Sequence, residues 1–366
     1  MKFYKILIIS LFLSSLAYSD IRKEFPSYSY VLTEFNVDER FIDNPEFKRF
    51  VWKNKNDYRK RFIRAVERGG LIVPTMKEMM YQRDISPVFL YISMIESAFD
   101  TSAKSRTGAG GLWQFVKATG ADFDLKITKN LDERYDPIKS TDAAVKYLYK
   151  INDNLESWYL TTMAYNCGNG CVNKAIRKAG TRDLGILISS KNKYIKAETK
   201  KYIQKVLLMA MIGENYLFKH DDTVGQLMYK INSDSITPVK VKSGERLSTL
   251  ANILNMNKFY LEKINPHLKK GHAPYRQGYT INIPTSKVDI FHSRYQQNPQ
   301  NHPSYYSSNR GQYKRYTVQK NDSLYSIARK HRVLLDSIKQ ANNYTMPKLY
   351  VGQQILIPIN NTYARR

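Results

Sequence analysis

Cysteine is nearly missing from this 366-residue chain: Cys167 and Cys171, both in YNCGNGCVNKAI, are the whole supply. No third or fourth ligand stands beside them and the six histidines are scattered without an H-E-x-x-H pattern, so no metal and no other cofactor is expected. The pair leaves two readings open, a disulfide or two free thiols; on one helix the Cα atoms would lie about 6 Å apart, at the upper edge of bridge geometry. Acid is scarce too, with 32 Asp and Glu against 58 Lys and Arg, a net charge of +26. Such an excess fits an anionic partner, and equally a set of merely solvated charged faces, so charge alone decides nothing. Long apolar runs are lacking beyond the N-terminus, and a membrane-spanning helix needs roughly 20 such residues. A phosphate or dinucleotide loop is also excluded, because no strand precedes the glycines near residue 110 and no Gly-Lys-Ser/Thr follows them.

The one apolar run, ILIISLFLSSLA, follows Lys2 and Lys5 and leads to Ala17-Tyr18-Ser19, with small residues where a signal peptidase reads them. Residues 1–19 are expected to be a signal peptide, without a nearby cysteine for a lipid anchor. The mature chain is then exported, periplasmic or peripherally associated with the envelope, with no transmembrane segment. So basic a chain in that place is expected to meet the cell wall rather than nucleic acid.

Helical periodicity dominates from about Arg40 to Asn215. FKRFVWKNKNDYRKRFIRAVERGG stops at Gly69-Gly70, and ISPVFLYISMIESAF opens with Ser86 as N-cap and Pro87 at the first helical position. Residues 20–72 are expected to form an N-terminal helical segment and 73–220 a mainly α domain. Two copies of a β-α-α-β pattern follow, at 236–285 and 315–360. Val241, Leu247, Leu250, Ala251 and Asn265 match Val318, Leu324, Ile327, Ala328 and Asn342, while Gly278 to Pro284 match Gly352 to Pro358 after a three-residue loop difference. The first copy is degenerate at its turn, Gly244-Glu245-Arg246, and carries a longer loop. Residues 286–314, polar and proline-punctuated, read as a flexible linker.

Glu96 is the conspicuous acid. On a helix begun at Pro87 it shares a stripe with Phe89, Ile92 and Phe99, and desolvation there favours a carboxyl that keeps its proton, as a general acid must. Gly108, Gly110 and Gly111 follow in SRTGAGGLWQF, permitting tight turns and close approach of a ligand.

Glu96-Ser97, SRTGAGGLWQF, AYNCGNG and ETKKYIQKVL together resemble the ordered motifs of the soluble lytic transglycosylase-like catalytic domain, a relative of goose-type lysozyme, and the β-α-α-β copies resemble LysM modules. The order of domains is similar to that of membrane-bound lytic murein transglycosylases. The resemblance implies a multidomain fold, a mainly α lysozyme-like catalytic domain followed by two small βααβ LysM modules. It implies peptidoglycan glycan strands as partner and cleavage of the β-1,4 bond between MurNAc and GlcNAc, leaving 1,6-anhydro-MurNAc ends. Glu96 would be the sole catalytic acid and base. Ser105 would stand near the acetamido group and Gln114 would help hold the catalytic region and substrate. Tyr165 and Asn166 would line the cleft, Tyr202 would approach Glu96, and Trp113 and Phe115 would form an aromatic wall. Cys167 replaces the usual alanine after Tyr-Asn, QFVKATG lacks Met-Pro, and Lys196-Ala197 stands where Leu-Pro is common. A two-carboxylate glycosidase needs a second acid about 5 to 9 Å away. Asp100, Asp122 and Asp124 fall outside the motifs, which favours a one-acid mechanism. A muramidase hydrolase using Glu96, and a non-catalytic peptidoglycan-binding protein, are the alternatives.

Overall fold

The computed structural model describes residues 20–218, 235–275 and 278–295 and, nearer the C-terminus, 313–319, 322, 324–331, 333, 338, 341–342 and 352–358. The expected signal peptide lies outside them, as do residues 296–312 of the expected linker. Two short helices, α1 (Ile21–Glu24) and α2 (Tyr28–Glu34), lead into α3 (Pro45–Gly69). Asn44 caps α3 by accepting from the Glu46 and Phe47 amides at 3.0 Å, Pro45 fits the first turn, and Gly70 ends it. Then come α4 (Ile72–Gln82), α5 (Leu90–Ser97), α6 (Lys117–Asp122), α7 (Pro137–Leu155), α8 (Trp158–Cys167), α9 (Asn169–Ala179), α10 (Leu184–Ile188) and α11 (Ala197–Phe218). Ile203 and Val206 through Ile212 of α11 are all buried, as a helix apolar on every side requires, and α11 packs against α3, α8, α5 and α2. Among the described residues no helix is long and apolar enough to cross a membrane.

The first βααβ copy consists of β1 (Ile236–Val241), α12 (Leu247–Ile253), α13 (Lys258–Lys263) and β2 (Tyr279–Pro284), with β1 and β2 antiparallel from Ile236↔Pro284 to Val241↔Tyr279. The second shows β3 (Tyr313–Thr317), α15 (Leu324–Lys330) and β4 (Gln354–Pro358), with β3 and β4 again antiparallel. The matched asparagines have one task in both. Asn265 donates to the Leu261 and Asn282 carbonyls (2.8 and 2.7 Å) and accepts from the Asn282 amide (2.8 Å). Asn342 donates to the Ile338 and Leu356 carbonyls (2.7 and 2.6 Å) and accepts from the Leu356 amide (2.6 Å). Asn265 therefore pins α13 to β2, and Asn342 ties Ile338 to β4 by the same three bonds.

Buried side chains from Ile21 to Phe291 make one continuous core that takes in the N-terminal helices, the main α body and the first copy; the second copy has its own, from Val318 to Ile357. The first copy is seated by polar groups as well. The Thr75 hydroxyl accepts from the Ile236 amide (2.9 Å), and Glu133 accepts from the Tyr279 hydroxyl (2.7 Å) and from Lys139. Asp136 caps α7, accepts from the Asn282 side chain (3.2 Å) and faces buried His267 at 3.3 Å. Burial holds the His267 imidazole below its ordinary pKa. The start of the expected linker is a correction: α14 (Val288–Arg294) is helical and Phe291 is fully buried, because Val288, Phe291 and Tyr295 share one apolar face.

Candidate active site

Ser86 opens the Glu96 helix as its sequence suggests, its hydroxyl accepting from the Val88 amide (3.4 Å) ahead of one 3-10 turn, Pro87–Phe89, and then α5. The helix stops at Ser97, because Ala98 and Phe99 take left-handed φ values of 50° and 57°. Phe99 therefore does not continue a stripe beside Glu96. It is buried against Gly69, where a Cβ would come within 3.0 Å of its ring. Two hydroxyls of α5, Ser93 and Ser97, both donate to the Leu112 carbonyl at 2.9 Å and lock the helix end to the glycine-rich loop.

Glu96 is partly buried at the edge of a cavity of about 480 Å³, together with Ser105, Gln114, Lys205 of α11, and Tyr58 and Arg61 of α3. The Tyr202 hydroxyl donates to Glu96 Oε1 at 2.6 Å. Desolvation raises the Glu96 pKa above the usual carboxyl value; the Tyr202 hydrogen bond and the charge of Lys205 oppose that rise, and repulsion from Glu198 adds to it. Burial likewise pushes the Tyr165 and Tyr202 phenols well above their ordinary range, so both stay neutral donors beside the acid. Among the described residues Glu96 is the one carboxylate lining this cavity. Asp100 is occupied with the amide and hydroxyl of Ser102, Asp122 is exposed at the end of α6, and Asp124 lines a separate cavity of about 360 Å³ between α4, α7 and β1.

The other predicted residues divide into two sets. Ser105 accepts from the Ala109 amide (2.9 Å), which fixes the turn that carries it to the cavity. Gln114, at φ 50°, donates to the carbonyls of Ala103 (3.2 Å) and Gly111 (2.8 Å), so its amide braces the loop. Tyr165 donates to the Trp113 carbonyl (2.7 Å), and Asn166 accepts from the Thr199 hydroxyl (2.7 Å), which ties α8 to α11. Trp113 and Phe115 do not form a wall. Trp113 is fully buried with its indole N–H on Thr141 (3.0 Å), and Phe115 sits in an aromatic cluster around Tyr147. Both rings repay more free energy in the core than at a wet surface. Cys167 and Cys171 are bridged, with Cα atoms 5.8 Å apart, although on two helices parted at Gly168 rather than on one.

Two of the loop glycines, Gly110 and Gly111, are required by the protein's own packing, whereas Gly108 has open space where a Cβ would stand. A Cβ on Gly111 (φ 77°) would lie 1.8 Å from the Arg134 carbonyl oxygen, and one on Gly110 would lie 2.6 Å from the Tyr135 ring. The residue they pack against, Arg134, escapes sequence reasoning. Its guanidinium donates to the carbonyls of Gly108 (2.7 Å) and Phe115 (2.9 Å) and bidentately to Asp132 (2.9 and 2.8 Å). Its local trace is the Asp-Glu-Arg of LDERYDP, whose partners lie some twenty residues upstream.

Residues 75–187 match the family described as Transglycosylase SLT domain, and residues 316–358 match the LysM domain. The chain is 27% identical over 289 residues to membrane-bound lytic murein transglycosylase D of Escherichia coli (strain K12), covering 78% of this chain and 62% of that protein. It thus spans somewhat less than two thirds of that relative. It is 29% identical over 117 residues to a peptidoglycan transglycosylase of Escherichia phage T7, covering 31% of this chain and 8% of the phage protein. Among solved structures, an inactive mutant of the lytic transglycosylase Slt from Pseudomonas aeruginosa aligns at 22% identity and TM-score 0.31, covering 54% of this chain and 29% of that one. The 70 kDa soluble lytic transglycosylase of Escherichia coli aligns at 18% identity and TM-score 0.34, covering 59% and 39%. With Glu96 inside the first match and most of the second copy inside the other, this chain carries a transglycosylase SLT domain followed by a LysM domain.

Proposed function

We propose that the chain is a lytic transglycosylase of the cell wall, cutting the β-1,4 bond between MurNAc and GlcNAc of peptidoglycan. The observation that carries this reading is a lone carboxyl, raised in pKa and held by Tyr202, in a cavity with no second acid among its described lining. Protonated Glu96 gives its proton to the glycosidic oxygen, the C1–O bond breaks, and the GlcNAc side leaves as an alcohol. The Glu96 carboxylate then takes the proton of the MurNAc 6-hydroxyl as that oxygen closes on C1. The 1,6-anhydro ring forms, Glu96 is protonated again, and no water is consumed. The Tyr202 hydroxyl fixes the carboxyl's orientation and stabilises its charged stage. Ser105 and Gln114 define the loop against which the sugar rests.

Residues 1–19 direct export in this reading, and the envelope is the site of action. The LysM domain holds the glycan near the cavity and raises its effective concentration there. The test is a digest of purified sacculi by wild type and by Glu96→Gln, with the ends weighed by mass spectrometry. Anhydro ends, lighter by one water than reducing ends, are expected from wild type and none from the variant. Reducing ends from wild type would make the enzyme a hydrolase, and anhydro ends from Glu96→Gln would remove Glu96 from its role.

A further inference from the structure

The first βααβ copy touches the main α body at several places, and one of them, residues 130–136, also touches the glycine-rich loop of the active site. On the side of the copy, the Asp132 amide donates to the His267 carbonyl (3.0 Å), Leu131 bridges Leu268, and the Lys269 amide donates to the Asn130 carbonyl (3.1 Å). Lys269 Nζ lies 3.5 Å from Asp132 Oδ2 and donates to the Thr128 carbonyl (3.1 Å). On the side of the loop stand the bonds of Arg134 to Gly108 and Phe115 and the packing of Gly110 and Gly111 against Tyr135 and Arg134. Asp132 joins the two sides, because the same carboxylate that receives Lys269 receives the Arg134 fork, and both side chains of that pair are 3% exposed. The Gly108 and Phe115 carbonyls bracket the turn that carries Gln114, while the Ser105 carbonyl accepts from the Gly108 amide (3.1 Å). Buried and forked, Arg134 has little freedom to move without moving this loop.

We propose that Arg134 is a positioning residue for the catalytic loop, and that the first βααβ copy works as its buttress, holding Asp132 and through it Arg134 in register with Glu96. The copy is then part of the catalytic unit, a role separate from glycan capture. This inference rests on the transglycosylase reading for its kinetic consequence but not for its structural one.

The experiment therefore has two readouts on the full mature chain. Hydrogen exchange reads the loop whatever the chemistry: in Arg134→Met, the amides of residues 103–115 are expected to exchange about tenfold faster while those of α11 do not change. Kinetics on glycan strands read the consequence: kcat is expected to fall about 100-fold, the scale of a 1 Å misplacement, with KM within about threefold. Arg134→Lys, able to serve one carbonyl but not the fork, should recover part of kcat. Lys269→Ala, which alters only a half-exposed side chain of the copy, should speed exchange of 103–115 and lower kcat by about threefold. Unchanged exchange in the loop of both Arg134→Met and Lys269→Ala overturns the proposal, and so does wild-type kcat in Arg134→Met. Should Arg134→Met not fold, Arg134→Lys and Lys269→Ala decide by the same readouts. Loss of anhydro ends in wild type itself would sink the enzymatic reading while the exchange data still judged the buttress.

Discussion

Asn265 and Asn342 make the same three hydrogen bonds in the two βααβ copies, yet what lies around the copies differs. The first copy shares the core of the α body and is seated by Glu133, Asp136 and Thr75. The second closes a core of its own, from Val318 to Ile357, and it meets the body at contacts that include Tyr81 and an ion pair (3.1 Å) between buried Glu34 and half-exposed Arg329. Repetition in sequence has preserved the clasp that makes the unit fold and has left its surface free to diverge. One copy has become a wall of the body, and the other keeps the form of a separate module, the part that matches the LysM family.

This contrast breaks most easily by truncation. A chain ending at residue 218 would strip Glu133 and Asp136 of Tyr279, Asn282 and His267 and bare the core face that the first copy covers, and its melting temperature should fall by about 10 °C or more, since each buried polar group left without its partner costs about 1–3 kcal/mol. A chain ending at residue 295 should keep the body transition within about 2 °C and lose retention on sacculi; scanning calorimetry and pelleting assays check both. If the two truncations behave alike, the copies are not different in kind. Next in size, Asn265→Ala and Asn342→Ala each leave backbone groups unpaired, at about 2–3 kcal/mol. Asn265→Ala should lower the body transition and Asn342→Ala only the smaller one, which calorimetry of the full chain resolves.

Opening the Cys167–Cys171 bridge by the double serine substitution should destabilise the body by about 2 kcal/mol, as chain entropy gives for so short a loop, and leave the second copy unmoved. Denaturant titration measures it. The smallest effect is one of pH. Because the folded state raises the Glu96 pKa above 4.5, it keeps a proton that the unfolded chain gives up, so this site costs stability as pH rises through 4.5 toward the folded value. Glu96→Gln cannot ionise. Its body transition should match wild type below pH 4 and exceed it by about 2 °C at pH 7, again with the second copy unaffected.

Much of the site was legible because it is local. Ser86-Pro87 sets the start of the Glu96 helix, the repeat shows in matched positions, and a carboxyl among apolar residues announces a raised pKa. Phe99 leaves the helix and drops out of the stripe beside Glu96, whose neighbours instead include Tyr165 and Tyr202, about 70 and 106 residues away in the chain. Trp113 and Phe115 could be read as wall or core with equal ease, since an aromatic pair beside a glycine loop suits both. Tyr58 and Arg61, in a helix of the N-terminal segment, gave no hint that they would reach the cavity.

By itself the sequence determined what depends on near neighbours: helix starts and stops, the doubled βααβ unit, and the motifs that point to Glu96. The tertiary structure alone decided what depends on contacts between distant segments. It bridged the cysteines across a helix break, sank Trp113 into the core, turned the loop glycines toward Arg134, and made the first copy a wall. Period and composition record whether a residue prefers burial. They do not record which distant backbone carbonyl or carboxylate will meet it there, because that partner is chosen by the packing of the whole body.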